Sequence, residues 1–309
     1  MKIQYFDAWN AKFSSPIVEH WRTLGHGVLF NGQYKIPDDE PRADIAFFYT
    51  ADNSTQVGVK ECNAKKIYVQ AVDIEIWGGQ PDGIDWSKVE GCITMAQHTS
   101  EMVKTPPNVK RAIIVPGIDL TKFTLAPPER FTDPIRRIAY VVGDNRIWDV
   151  KRFDIALQLL YDVRKLKPEL IWQLCVRGTY STHVQYNAYC KHLIKELKLE
   201  DFIVWSDRVD DMNKYLDDKH YFVLPSTKEV FSYATGEAMA KGIKPVIGNW
   251  QSARETWGQF VNNSYMEMLE RLTEDKYEPE EYRAYVEKNH NIIRYMRDLD
   301  EAILGKVVD

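Results

Sequence analysis

Short apolar runs alternate with amphipathic helical stretches along this chain, and the alternation happens twice. Lys2–Phe6, Val28–Phe30, Asp44–Tyr49, Lys66–Gln70, Gly91–Thr94 and Arg111–Val115 read as strands. The intervals between them carry helix signals, the clearest being Ser15 as N-cap, Pro16 at the first helical position and Glu19 in the first turn, with Gly25 and Gly27 ending the helix. Strand and helix in alternation predict a parallel sheet covered by helices. The stretch TLAPPERFTDPI at 124–135 carries three prolines and few apolar positions, which predicts an interdomain linker. The rhythm then resumes. Strands are predicted at Arg137–Val142, Leu170–Val176, Phe202–Trp205, Tyr221–Leu224 and Lys244–Ile247. Helices are predicted near 150–167, 182–198, 210–217, 232–241 and, rich in charge, 251–304. The expected fold class is α/β: two doubly wound domains facing a cleft, spanning 1–125 and 126–290.

Ligands of such sheets bind beyond the carboxyl ends of the strands. That rule directs attention to the loops at 7–14, 49–54, 71–86, 143–151, 177–181, 206–210 and 225–235. A net charge of −5 with no polybasic run lowers the case for binding nucleic acid through its phosphates. Cys62, Cys92, Cys175 and Cys190 form no C-x-x-C pair and read as small core residues of a reducing compartment. The start, MKIQYFDAWNAKF, reads as strand and loop and not as a signal peptide, and no apolar run approaches a membrane span. A soluble, cytoplasmic protein is expected, with peripheral membrane contact left open. The dinucleotide, P-loop, zinc-protease and nucleophile-elbow signatures are absent, so no metal is expected.

The stretch PSTKEVFSYATGEAMA at 225–240 sets Glu229 in a loop and Glu237 in the first turns of the helix that follows. A helix start offers free N–H groups and a positive dipole end, suited to phosphate, and two carboxylates beside it could accept hydrogen bonds from hydroxyls. The spacing alone is better explained by an exposed Glu229 and a favourable first-turn charge at Glu237. The flanking segments change that balance. P-S-x-x-E-x-F-x-x-x-x-x-E-A-M-A-x-G-x-x-P-V-I resembles the signature of glycosyltransferase family 4, retaining enzymes of the GT-B fold that use nucleotide-activated sugars. Val115-Pro-Gly-Ile-Asp-Leu-Thr-Lys-Phe123 is similar to the family's exit from the first domain. Val141-Val-Gly-Asp-Asn-Arg-Ile-Trp-Asp-Val-Lys151 is similar to its entry loop into the second. Lys219–Ser226 is similar to the strand before the two glutamates. Together these cover most of residues 90–250, in the family's order.

The resemblance implies two Rossmann-like domains, a final helix (291–309) packing back on the first, and transfer of a hexose or related sugar from a nucleoside diphosphate sugar to a hydroxyl, with retention and without a metal cofactor. It implies that Arg146 and Lys151 neutralise the donor diphosphate, that Glu229 lies near the transferred sugar, and that Glu237 holds the ribose hydroxyls. The backbone N–H groups of Phe231 and Ser232 match those that bind sugar hydroxyls, and Thr235 sits where a hydroxyl could meet phosphate. Arg177, Gly178 and Val209 lie where the base would lodge. The chain departs from the family at Val230 and Ser232, where glycines are common, at Arg152, where the family's lysine is followed by glycine, and in the Gly-poor loop Asp7–Ser14.

Acceptor contacts fall to the first domain. Trp9, Asn10, Trp77 and Trp86 lie on its predicted loops, the tryptophans as stacking surfaces for a sugar or base. His98 is either an acceptor-side histidine or a helix-start or core residue. Asp73 and Glu75 follow a strand, whose period would point both to one face. Either could orient or deprotonate an acceptor hydroxyl, or both belong to a plain polar loop. An open acceptor groove suits a glycan, a glycolipid head or a modified DNA base. The DNA alternative requires a basic stripe near Lys12, Lys35, Lys60, Lys65 and Lys66. A third reading is a non-catalytic nucleotide-sugar or glycan-binding protein, against which the joint presence of Arg146, Lys151, Glu229 and Glu237 argues.

Overall fold

In the computed structural model, residues 1–7, 11–31, 42–72, 74–143, 146–206 and 209–305 are described, those at 11–13 by their backbone alone. The chain divides into two compact units, Met1–Gly117 with Ile293–Asp309, and Ile118–Ile292. The first carries β1 (Lys2–Phe6), α1 (Ala11–Thr23), β2 (Gly27–Asn31), β3 (Ile45–Phe48), α2 (Asn53–Glu61), β4 (Lys66–Ala71), α3 (Ile74–Trp77), β5 (Gly91–Thr94), α4 (Gln97–Met102) and β6 (Lys110–Ile113). The second carries β7 (Ile135–Val141), α5 (Phe153–Leu166), β8 (Ile171–Arg177), α6 (Val184–Glu196), β9 (Ile203–Ser206), α7 (Met212–Leu216), β10 (Tyr221–Leu224), α8 (Tyr233–Ala240), β11 (Lys244–Gly248), α9 (Ala253–Trp257), β12 (Val261–Asn262), α10 (Tyr265–Thr273) and α11 (Pro279–Asn289). The last helix, α12 (Ile292–Leu304), returns the chain to the first unit.

Each unit is built on one parallel sheet, in the orders β2-β1-β3-β4-β5-β6 and β12-β11-β10-β7-β8-β9. In the second sheet β7, β8 and β9 proceed outward in one direction and β10, β11 and β12 in the other. The order therefore reverses between β7 and β10, and the loops leaving those two strands diverge over a crevice.

Hydrophobic periodicity explains the cover. In α5, Phe153, Ala156, Leu157, Leu160 and Val163 recur at helical spacing and are all buried, packed with Trp172, Leu174 and Val223 of the sheet. The opposite face buries Phe222, Leu224 and Ile247 against Ala238 and Met239 of α8 and Val286 of α11. Each of the Phe, Leu, Ile, Val and Met side chains among these stabilises the fold by about 1.5–3 kcal/mol. In α8, Gly236 lets Ile118 approach so closely that a Cβ there would stand 2.7 Å from Ile118 Cγ1.

The first unit buries an aromatic group in which Tyr5 and Trp21 contact Phe47. Helix α12 is secured to α1 by the carboxylate of Asp300, which accepts from Trp21 Nε1 at 2.8 Å and meets His20 Nε2 at 2.8 Å. Asp300 is only 1% exposed, and a carboxylate so placed is tolerable only with such partners.

Three expectations change. Helix α1 begins at Ala11, so Pro16 lies inside it and Ser15 is not its cap. Its first turn is held by Ser14, whose hydroxyl donates to Asp7 at 2.5 Å and accepts from Tyr5 at 3.0 Å. The Pro-rich stretch 124–135 lies inside the second unit. There Arg130 donates to the Gly242 carbonyl at 3.1 Å, and His220 contacts the Arg130 carbonyl at 2.9 Å and accepts the Arg137 N–H at 3.1 Å. The stretch 251–304, expected to be helical, is interrupted by β12, whose two residues are too short to leave a periodic pattern.

Candidate active site

The loops that leave β7 and β10 are stitched together. The Thr227 N–H donates to the Val150 carbonyl at 2.9 Å, and Lys151 Nζ meets Glu229 Oε1 at 2.5 Å. Glu229 is 7% exposed, so this carboxylate is largely out of water and the ammonium compensates it. Beneath them Tyr140 of β7, fully buried, donates its hydroxyl to the Lys151 carbonyl at 3.0 Å. Burial, aided by nearby negative charge that includes Glu229, pushes that phenol well above its ordinary pKa, so it stays a donor. Thr227 escapes sequence reasoning because its bond reaches across the crevice to Val150, and Tyr140 because its bond to the Lys151 carbonyl joins a strand to its own following loop without any periodic spacing.

Arg146 is exposed, and its stem lies over Gly143, where a Cβ would come within 2.8 Å of Arg146 Cδ. Its neighbour Ile147 donates its N–H to the Thr179 carbonyl at 3.2 Å, drawing this loop against the end of β8. There Arg177 Nη1 donates to the Val142 carbonyl at 2.8 Å. Gly178 has φ 130°, and a Cβ on it would lie 2.5 Å from Val142 Cγ2, so only glycine fits. Val209, half-buried, packs with the cluster that contains Met212 and Leu216.

Helix α8 is capped by Ser232, whose Oγ accepts from the Thr235 N–H at 3.3 Å and from the Thr235 hydroxyl at 2.8 Å. Thr235 is fully buried, so in this structure its hydroxyl serves the cap and does not face outward. Phe231 stacks on Trp257 at 5.4 Å and meets Tyr233 edge-on at 5.1 Å, fixing the loop before the helix. Glu237 sits in the second turn, 9% exposed. The structure thus gathers Arg146, Lys151, Glu229, Arg177 and Gly178 around the carboxyl ends of β7, β8 and β10, with Ser232 at the start of the helix after β10.

In the first unit, Trp9, Asn10 and Asp73 lie outside the described residues. Glu75 requires a correction. The strand stops at Ala71 and the chain turns into α3, so no strand period carries through to Glu75. The reason is local: the Glu75 carboxylate accepts the N–H of Val72 at 2.6 Å and of Ala51 at 3.4 Å, tying the loops after β3 and β4 together while only 3% exposed. Trp77 and His98 do meet, with ring centroids 5.8 Å apart, and His98 is 2% exposed. Trp86 is a core residue, its indole donating to the Pro81 carbonyl at 3.0 Å. Of the lysines required by a DNA surface, Lys35 and the Lys12 side chain lie outside the described residues, Lys60 and Lys66 are exposed, and Lys65 is paired with Asp44 at 2.7 Å. None of the described helices is long and apolar enough to cross a membrane.

Two parallel-sheet Rossmann-like units, with charged loops at the switch point of the second, define the architecture of the GT-B glycosyltransferases. The family model described as "Glycosyl transferases group 1" matches residues 136–292, more than half of the chain, and the protein belongs to that family. Solved structures agree in fold. Sucrose-phosphate synthase from Thermosynechococcus elongatus has a TM-score of 0.75 at 11% identity, covering 97% of this chain and 98% of that one. HepE from Anabaena in complex with UDP has a TM-score of 0.73 at 13% identity, covering 99% and 100%. A glycosyltransferase from Rickettsia africae has a TM-score of 0.70 at 16% identity, covering 97% of each. No curated protein sequence matches the chain.

Proposed function

We propose that this glycosyltransferase moves a hexose or related sugar from a nucleoside diphosphate sugar to a hydroxyl of a glycan or glycolipid, with retention of anomeric configuration. The observation that carries this reading is the meeting of Lys151 and Glu229 over the β7/β10 switch point, beside the capped start of α8. On donor binding, the diphosphate takes the Lys151 ammonium and the exposed Arg146 guanidinium as its counter-charges. As the bond from the anomeric carbon to the β-phosphate oxygen breaks, negative charge grows on the departing diphosphate, and fixed cations stabilise it. The acceptor oxygen forms the new bond to the anomeric carbon, and its proton passes to the leaving phosphate or to solvent. Glu229, released from Lys151, accepts hydrogen bonds from sugar hydroxyls, and Glu237 takes the ribose. With two side-chain cations in that role, no metal is needed, so transfer persists in a chelator. The relative crystallised with UDP and glucose, HepE, supports the donor class.

The test is a thermal-shift panel of UDP-, GDP-, ADP- and dTDP-sugars. A ligand that binds only the folded state raises its apparent stability, by about 2.7 kcal/mol at a hundredfold excess over Kd. A shift with one member, abolished by Lys151→Met, supports the reading; no shift with any member sinks it.

A further inference from the structure

Arg152, the residue after Lys151, is in the left-handed conformation, φ 51° and ψ 51°. A residue with a side chain enters that region only against a steric cost that glycine does not bear. Both flanks are fixed. Upstream, the Lys151 N–H donates to the Trp148 carbonyl at 3.0 Å, and the Lys151 carbonyl takes the Tyr140 hydroxyl. Downstream, the Arg152 carbonyl accepts the N–H of Ile155 at 3.1 Å and of Ala156 at 3.3 Å, starting α5. Arg152 is therefore the joint between the Lys151 loop and the helix, and turning it to a relaxed conformation swings one of them.

A carboxylate holds the joint. Asp154 Oδ1 and Oδ2 accept Arg152 Nε at 3.1 and 3.3 Å, and Oδ2 accepts Nη2 at 3.1 Å. Asp154 is 7% exposed and is itself anchored: the Tyr186 hydroxyl donates to Oδ1 at 2.8 Å, and its oxygen accepts the Asp154 N–H at 3.2 Å. A forked guanidinium–carboxylate contact restricts the arginine side chain to one orientation, and through it the backbone that carries it.

We propose that Asp154 is a positioning residue for Lys151: braced by Tyr186, it grips Arg152 and keeps the joint left-handed, and so aims the Lys151 ammonium into the crevice. This rests on the reading of Lys151 as a diphosphate-binding cation. Arg152 then acts by its backbone conformation, and its charge is spent on Asp154.

The test asks whether glycine at 152 removes the need for the carboxylate. UDP and GDP binding is titrated calorimetrically. Asp154→Asn is expected to weaken the bound nucleotide about tenfold in the natural chain, the scale of a left-handed residue's cost. Made on top of Arg152→Gly, the same change is expected to cost less than about threefold, on the same argument. An equal loss in both backgrounds, or none in either, overturns the proposal, since a carboxylate that merely supports α5 would be needed regardless of residue 152. A second measurement needs no nucleotide: the coupling between Lys151→Met and Glu229→Gln in unfolding free energy. It is expected to fall by at least half with Asp154→Asn and to return with Arg152→Gly; an unchanged coupling overturns the proposal. If the natural chain binds neither UDP nor GDP, the donor reading loses its support while this coupling still decides the positioning role. Should Asp154→Asn fail to fold, Tyr186→Phe, which removes one bond to the carboxylate, takes its place under the same criteria.

Discussion

Replacing Lys151 with methionine removes the counter-charge of Glu229 while keeping most of the side chain's volume. Opposite charges 2.5 Å apart attract by roughly 6–7 kcal/mol at an effective dielectric near 20. Desolvation cancels much of this, and breaking a buried pair from one side costs about 3–5 kcal/mol. The Lys151 side chain is 20% exposed and that of Glu229 8%, so water reaches one partner and the lower end, about 3 kcal/mol, is expected. For a unit of this size that lowers Tm by roughly 6–12 °C. Removing both charges with Lys151→Met and Glu229→Gln together should recover about 2 kcal/mol of the loss, because no bare carboxylate remains. Scanning calorimetry on the two single variants and the double variant gives the cycle. Additivity within about 0.5 kcal/mol would refute the reasoning, because it would mean that the pair is loosely held in water and that the crevice is wetter than its burial indicates.

Transfer should fall about 10²- to 10³-fold in kcat when either Lys151 or Glu229 loses its charge, measured with whichever donor the binding panel identifies. Ser232→Ala removes the cap of α8 and should cost about 1 kcal/mol of unfolding free energy in urea. Burial holds His220 down at about 4, below its ordinary 6.5, with Nδ1 occupied by the Arg137 N–H. Because its folded pKa is depressed, its contribution is present above pH 6.5 and drains away as pH falls toward 4, by roughly 3 kcal/mol in all. In a His220→Gln variant the slope of stability against pH across that window should flatten. Gly178→Ala should destabilise by more than about 2 kcal/mol, because it combines an unfavourable φ with a clash.

The strands were the most legible part of the sequence, since their apolar runs are continuous and bounded by turn residues; Gly91–Thr94 and Tyr221–Leu224 coincide with β5 and β10 to the residue. Legible too was the segment order that places a lysine after β7 and a glutamate after β10. What periodicity cannot carry is pairing order, and the reversal between β7 and β10 emerges only from the sheet. Glu75 shows the same limit from the other side: its spacing from Asp73 fits a strand, but a carboxylate that captures Val72 N–H ends the strand instead. Pro16 carries a strong local signal for a helix start, and the Ser14–Asp7 bond overrides it by holding an earlier turn in place. The left-handed Arg152 is invisible because arginine gives no local sign of that conformation, and its support arrives from a tyrosine on another helix.

The docking of α12 through Asp300 has a consequence for how the molecule is made. The first unit leads the sequence, yet one of its helices is encoded beyond the whole of the second unit. Residues 118–292 have all their own strands in hand before α12 is made, whereas Trp21 and His20 wait for a partner nearly three hundred residues downstream. Until α12 is made, the first unit keeps the side of Trp21 and His20 without the carboxylate that holds them, while the second unit already has every strand it needs.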